Sequence, residues 1–280
     1  MKDLVWGIGT RLVNLLQARN LMPDKLRSFL RGIGHIVLSA PKERTIITKS
    51  NHWLITPHGH KGSRSYVNGT YEQALYEYLT RTVKNGDVFL DIGGFIGYYS
   101  VILSEKIGYS GEIHVFEPEN DAFHYLSLNV SLNNIQNITA YNVAVSDKAG
   151  YNSFELSSEA GVGSAGGFVK HSGSGLKVEC IAIDDLGLKG VNWIKLDTDG
   201  HETQALLGLR ETIDASPNVK LILEIDPSHF SISHDRTSLT EILLSLGFTH
   251  CLICEEGYRL VSVEDLCDLN GHRNVVMFKA

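Results

Sequence analysis

The chain has 280 residues, room for one large domain or about two, so a small scaffold that depends on disulfides or a structural metal is excluded. Apolar residues make up 43% and charged residues 20%, with 27 glycines and 6 prolines, which is globular usage rather than collagenous, coiled-coil or disordered usage. The 25 Lys and Arg against 32 Asp and Glu leave a net charge of −7 with neutral histidine, so nucleic acid is not an expected partner.

Residues 1–44 form a basic, amphipathic start. Lys2, Arg11, Arg19, Lys25, Arg27, Arg31, Lys42 and Arg44 stand against Asp3, Asp24 and Glu43, with Leu12, Leu15, Leu16, Leu26, Phe29 and Leu30 at helical spacings. The pattern predicts a helical extension laid on the main domain, with weak peripheral contact to a membrane surface or an anionic glycolipid as the sharper alternative. No run of about 18 apolar residues exists, and the first residues lack the unbroken apolar core and cleavage site of a signal peptide, so a cytoplasmic location is expected. Thr45 to Thr48 and His52 to Thr56 flank Lys49-Ser50-Asn51 and predict a hairpin, followed by a loop over 57–68. We therefore divide the chain into an N-terminal helical and hairpin extension, 1–68, and a main domain, 69–280.

From Thr70 helices and strands alternate, which predicts an α/β fold with a mostly parallel sheet covered on both faces. Helices are expected over Tyr71–Val83, Tyr98–Ile107, Asp121–Asn133, Glu202–Ile213 and Leu239–Leu246, the last introduced by a capping box at Ser238 to Glu241. Seven strands are expected: Val88–Ile92, Glu112–Phe116, Ile138–Val143, Asn192–Leu196, Lys220–Ile225, Thr249–Cys254 and Asn274–Phe278. No convincing helix separates the last two, so the last strand should run antiparallel. Ser157 to Lys177, with six glycines, reads as a long loop and a candidate mobile flap. Of the four cysteines, Cys251 and Cys254 are three apart on a predicted strand and point to opposite faces, so all four read as core thiols.

The chemistry concentrates in three segments. Val88 to Ser100 reads V-F-L-D-I-G-G-F-I-G-Y-Y-S, an apolar strand that ends in Asp91, runs through Gly93, Gly94 and Gly97, and opens a helix. Glycines there admit a ligand close to the backbone, and amides at a helix start bind polar groups. The spacing departs from the dinucleotide fingerprint because Phe95 takes the middle glycine's place, which disfavours an NAD(P)-dependent oxidoreductase. Next, Val115-Phe116-Glu117-Pro118 puts a carboxylate at the following strand's end, where it can accept hydrogen bonds from both hydroxyls of a ribose.

The third segment, Trp193 to Glu202, reads W-I-K-L-D-T-D-G-H-E. With D-I-G-G-F-I-G-Y-Y-S, F-E-P and the early Gly69-Thr70-Tyr71-Glu72, it resembles the FkbM-like class I methyltransferases, over roughly residues 69–230. It departs from them at Gly94-Phe95, where Ala-Asn is common, and at Asp199, where Glu is common. The resemblance implies a Rossmann-like sheet with an antiparallel last strand, S-adenosylmethionine as methyl donor, and methylation of hydroxyls on sugars or natural products, so the expected activity is O-methylation of a hydroxyl on a sugar, glycan or glycosylated metabolite, a small-molecule or glycan acceptor. It also implies Asp91, Gly93, Gly94, Phe95 and Gly97 around the methionine part of the cofactor, Glu117 on its ribose, Ala144 and Val145 near the adenine, and Asp197 beside the transferred methyl. Glu72 could approach the cofactor or be a plain helix-start carboxylate.

A neutral hydroxyl is a poor nucleophile, and a general base contributes about 10²–10⁴-fold. Candidates at the carboxyl ends of strands four and five are His201, Asp199, Glu224 and Asp226, of which Glu224 stands out as a carboxylate between apolar strand neighbours. Asp197, Asp199, His201 and Glu202 straddle a strand end and a helix start, so no metal is expected. A non-catalytic nucleoside-binding module remains the second alternative.

Overall fold

A computed structural model describes residues 38–39, 43–57, 60, 62–156, 167–170, 176–225, 236–268 and 271–279. The basic stretch 1–37, most of the glycine-rich stretch 157–177, Asp226 and the side chain of Cys267 lie outside them.

Elements follow in chain order: β1 (Leu38–Ser39), β2 (Glu43–Ile47), β3 (Trp53–Pro57), α1 (Ser63–Asn68), α2 (Gln73–Thr82), β4 (Val88–Ile92), α3 (Tyr98–Ile107), β5 (Glu112–Phe116), α4 (Asn120–Leu132) and β6 (Ile138–Tyr141). Then come β7 (Ala144–Val145), β8 (Gly150–Leu156), β9 (Gly167–Lys170), β10 (Leu176–Ile181), β11 (Trp193–Leu196), α5 (Glu202–Leu207), α6 (Arg210–Asp214) and β12 (Lys220–Ile225). The chain ends with α7 (Arg236–Ser245), β13 (Phe248–Ile253), β14 (Arg259–Ser262) and β15 (Arg273–Lys279).

The main sheet has the order β14-β13-β15-β12-β11-β4-β5-β6. Strands β6, β5, β4, β11 and β12 pair in parallel, and β15 runs antiparallel between β12 and β13. The seven expected strands are all in this Rossmann-like sheet, and β14 extends it by an eighth, antiparallel to β13. Strand order reverses at β4, with β5 and β6 on one side and β11 on the other, which places a topological switch point between β4 and β11.

Period-2 alternation splits the core. Leu90, Ile92, Ile194, Leu196, Leu221 and Leu223 pack under α5, α6 and α7 through Leu206, Ile213 and Leu243. Phe89, Trp193, Ile222 and Val276 face α2 and α3 through Leu79 and Val101. Ile46 and Leu54 of the hairpin belong to that second cluster, so the β2–β3 hairpin shares the main domain's core.

An unusual device holds the hairpin down. Asn129, fully buried on α4, accepts from the Ile55 N–H at 2.6 Å and donates to the Ile55 carbonyl at 3.1 Å, while Asn133 does the same to Trp53 at 2.9 and 2.7 Å. Four helical residues rise about 6 Å and two strand residues about 6.6 Å, so asparagines one helical turn apart pair with alternate residues of a strand edge.

Several local expectations change. Residues 57–68 are not all loop, because α1 forms and buries Tyr66 against Tyr98 at 4.5 Å between ring centres. The expected helix over 202–213 breaks at Gly208, where an added Cβ would lie 2.0 Å from the Ser146 carbonyl oxygen. The Ser238 box falls inside α7, which begins at Arg236. The expected strand over 138–143 stops at Tyr141, and β7 opens a second sheet of order β7-β10-β8-β9. Gly167–Lys170, read as loop, is the edge strand of that sheet and pairs with Ser153–Leu156.

Candidate active site

The carboxyl ends of β4, β11 and β12 carry a row of charges. Asp91 and Lys195 are register partners on neighbouring strands, and both stand on the sheet face of Phe89 and Trp193. Glu224, two residues beyond Ile222, shares that face. In β4 and β11 a single charged residue near the strand end interrupts an apolar run, and β12 carries Glu224 in the corresponding place.

Lys195 is buried and its ammonium donates to Asp197 Oδ2 at 2.7 Å. Burial alone would lower its pKa, but the charges of Asp197, Glu72 and Asp91 outweigh it and hold the group protonated well above neutrality. The ammonium also lies 5.5 Å from the centre of the Tyr99 ring. The Tyr99 hydroxyl donates to Glu72 Oε2 at 2.7 Å, and the next residue, Ser100, donates to Asp91 Oδ2 at 2.5 Å. Helix α3 therefore delivers two hydroxyls to two carboxylates from consecutive positions at its start. Glu72 precedes α2 at φ 40°, a left-handed backbone conformation rare for a residue with a Cβ. Burial raises the pKa of both Asp91 and Glu72, against the pull of Lys195.

Glu224 completes the group. Burial first, then the neighbouring Asp197 carboxylate and a hydrogen bond to it, hold the pKa of Glu224 far above the ordinary carboxylate range. On its outer side Glu224 meets the Nε2 of His272, a half-exposed ring just before β15. Four carboxylates thus stand around one ammonium.

The glycine turn sits beside this row. Gly93 and Gly94 donate their N–H groups to the Phe116 carbonyl at 2.9 and 3.1 Å. Gly93 adopts φ 77°, and an added Cβ would lie 1.7 Å from the Asp197 carbonyl oxygen, so only glycine lets β4 and β11 close here. Phe95 follows at φ 50°. Its N–H donates to Glu117 Oε2 at 2.8 Å, and the Glu119 N–H donates to Oε1 at 2.8 Å. Burial pushes Glu117 up to about 8, helped by the charges of Glu119 and Asp199 and opposed by those two N–H donors. Each carboxylate oxygen keeps a second lone pair for an incoming hydroxyl. Asn142 fixes the loop by donating to the Glu117 carbonyl at 2.9 Å.

The structure thus brings Asp91, Gly93, Gly94, Phe95, Gly97, Glu117 and Asp197 to one end of the sheet, with Glu224 beside Asp197. Asp199, at φ 50°, lies close enough to Glu117 to raise its pKa. His201 is 3% exposed and its Nε2 is 3.1 Å from the Ser146 hydroxyl. Ala144 and Val145 are buried, and their strand pairs with β10. Sequence reading passed over Lys195, Tyr99, Ser100 and His272. The signal for Lys195 was present: a lysine between Ile194 and Leu196 in an all-apolar strand is a buried charge that requires a partner. No signal marks His272, which lies 48 residues from Glu224.

A largely parallel open sheet with a glycine turn after β4 and an N–H-pinned carboxylate after β5 is the Rossmann-like arrangement that suits a nucleoside cofactor. The donor set fits one that is cationic at its reactive end: acceptor-only carboxylates suit ribose hydroxyls, and an excess of negative charge suits a sulfonium. The sequence profile of the methyltransferase FkbM domain matches residues 91–260, and the chain belongs to that family. It is accordingly a methyltransferase domain whose cofactor is S-adenosylmethionine. Among characterised proteins, the hexuronic acid methyltransferase AglP of Haloferax volcanii is 30% identical over 149 residues, 51% of this chain and 59% of that protein, so the match spans less than two thirds of the relative. Among solved structures, the FkbM methyltransferase of Methylobacillus flagellatus aligns with 76% of this chain and 54% of its own at 16% identity and a TM-score of 0.44. An S-adenosylmethionine-dependent methyltransferase of Aquifex aeolicus aligns with 76% of this chain and 93% of its own at 12% identity and a TM-score of 0.45. No helix among the described residues is long and apolar enough to cross a membrane.

Proposed function

We propose that the protein methylates a hydroxyl oxygen of a sugar or glycan acceptor, with Asp197 and Glu224 as its proton acceptor. The carrying observation is the hydrogen-bonded Asp197–Glu224 carboxyl pair at the end of β11 and β12, in a site that already holds more carboxylates than cations. S-adenosylmethionine supplies the electrophilic methyl group. Glu117 holds the ribose hydroxyls, the Gly93 to Gly97 turn admits the methionine part, and the carboxylate row favours the sulfonium over its neutral product. Asp199 lies on the Glu117 side and assists the cofactor, and His201, tied to Ser146, positions the turn between β11 and α5.

The acceptor's proton passes to the Asp197 carboxylate, and the proton carried by Glu224 leaves through the half-exposed His272. A carboxylate acceptor would need no base. A hydroxyl needs the base and brings no charge. The sugar class is supported by the AglP relative, named for hexuronic acid.

The test is methyl transfer to hexuronic acid glycosides and their neutral sugar counterparts. The expected product is an alkali-stable methyl ether, with Asp197→Asn, which removes the proton acceptor, slowing single-turnover transfer at saturating cofactor by at least about 10²-fold. An alkali-labile methyl ester would overturn the hydroxyl assignment, and an unchanged rate in Asp197→Asn would overturn the assignment of the base.

A further inference from the structure

A concavity of about 580 Å³ lies at the opposite end of the sheet from the carboxylate row. Its walls are the hairpin turn, the end of α3 and the residues that enter β6, such as Asn51, Gly108 and Asn137. These border the amino ends of the parallel strands, whereas Asp91, Glu117 and Asp197 occupy the carboxyl ends, so the two sites are separate.

The lining has one character. It holds six amide side chains, including Asn85, Gln136 and Asn137, and neither a lysine nor an arginine. Its one histidine, His52, is held below the ordinary imidazole pKa by burial, so it adds no cation at neutral pH. Its one carboxylate, Glu105, is 88% exposed. Several of the amides are fixed. Asn137 donates to the Ser104 and Gly108 carbonyls at 3.0 and 2.8 Å, Asn85 accepts from Ser110 at 2.6 Å, and Gln136 donates to the Asn134 carbonyl at 3.3 Å. These bonds orient the side chains and leave on each one further amide function, the Asn137 and Gln136 oxygens and the Asn85 nitrogen. Two aromatic side chains line the same concavity. Trp53 is half-buried, and the Tyr109 ring is 90% exposed, the most exposed large hydrophobic side chain among the described residues.

We infer that this groove binds an uncharged saccharide unit. A sugar hydroxyl both donates and accepts, as the amides do, and the apolar C–H face of a pyranose requires a flat amphipathic platform, which Tyr and Trp provide. The absence of a cation from the lining disfavours phosphate and nucleotide ligands, and Glu105 disfavours acidic sugars. The volume lies within the range of small-molecule sites, about 300–1,000 Å³. Because the wall amides are held by protein bonds, little side-chain entropy is lost when the ligand binds.

The experiment titrates the full-length protein, saturated with S-adenosylhomocysteine to fill the cofactor site, with maltotetraose, tetra-N-acetylchitotetraose and tetragalacturonate, followed by tryptophan fluorescence and by calorimetry. A neutral tetrasaccharide is expected to bind saturably, with Tyr109→Ala and Gln136→Ala each weakening it about tenfold or more. Both side chains are surface groups, and unchanged S-adenosylhomocysteine affinity in each variant shows that the fold is intact. Binding that survives both substitutions, tighter binding of the galacturonate, or no saturable binding of either neutral sugar would overturn the inference. The outcome does not depend on methyl transfer, so it stands or falls separately from the proposed reaction.

Discussion

Glu117 shows how a single side chain can carry opposite demands. Two backbone N–H groups, from Phe95 and Glu119, favour its ionised form, while burial and the nearby Asp199 and Glu119 charges push its pKa to about 8. A carboxylate accepting ribose hydroxyls must be ionised, so the cofactor competes with a proton. Affinity for S-adenosylhomocysteine should therefore rise with pH, by up to about tenfold per unit, and level off above about 8. Glu117→Gln should bind more weakly at high pH and lose the pH dependence, and a parallel slope in the variant would move the effect elsewhere. Glu117 could be found in the sequence because it ends an apolar strand before a proline. Its partner amides could not, since Phe95 and Glu119 contribute only backbone.

At the scale of elements, the parallel strands were legible because each is a short apolar run, and the order of the glycine turn, Glu117 and the Lys195 block followed from them. The second sheet was not. Its edge strand, Gly167–Lys170, lies in a stretch whose glycines carry no alternating pattern, and its pairing with Ser153–Leu156 is non-local. The attachment of the hairpin was equally hidden: Asn129 and Asn133 on a helix suggest a polar face, and Asn129 also heads an Asn-x-Ser triplet, yet its amide is fully buried. Asn129 satisfies the Ile55 N–H and the Ile55 and Ile96 carbonyls at once. Replacing it with Ala leaves three buried backbone groups without that partner, at about 1–3 kcal/mol for each unsatisfied group. Asn129→Ala should lower the unfolding free energy by several kcal/mol, whereas Asn120→Ala at the helix start should change it little. Chemical denaturation of the two variants measures the contrast, and equal small losses would show that the hairpin is held by its apolar contacts alone.

The whole molecule carries a net charge of −7, and a few of its carboxyl groups are gathered at the ends of the parallel strands. Asp91, Glu72, Glu117 and Glu224 all have pKa values raised by burial, against the buried ammonium of Lys195. A carboxyl that holds its proton more tightly when folded stabilises the fold below its unfolded pKa, and that contribution is lost as pH rises through the folded value. For Glu117 the window runs from 4.5 to about 8, and Glu224 extends it upward. His52, lowered by burial, acts the other way below 6.5, and the raised pKa of Lys195 matters only above its ordinary value of 10.5. Stability of the cofactor-free protein should therefore decline from about pH 6.5 to 8, by up to roughly 1.4 kcal/mol per unit for each group still titrating. Glu117→Gln removes one such group and should flatten the decline, and a cationic cofactor should offset it by neutralising the cluster. Denaturant midpoints across that range, with and without S-adenosylmethionine, provide the measurement. A stability that climbs with pH would mean that the carboxylates are ionised and paired in the folded state, and that the cluster is no store of excess negative charge awaiting a cation.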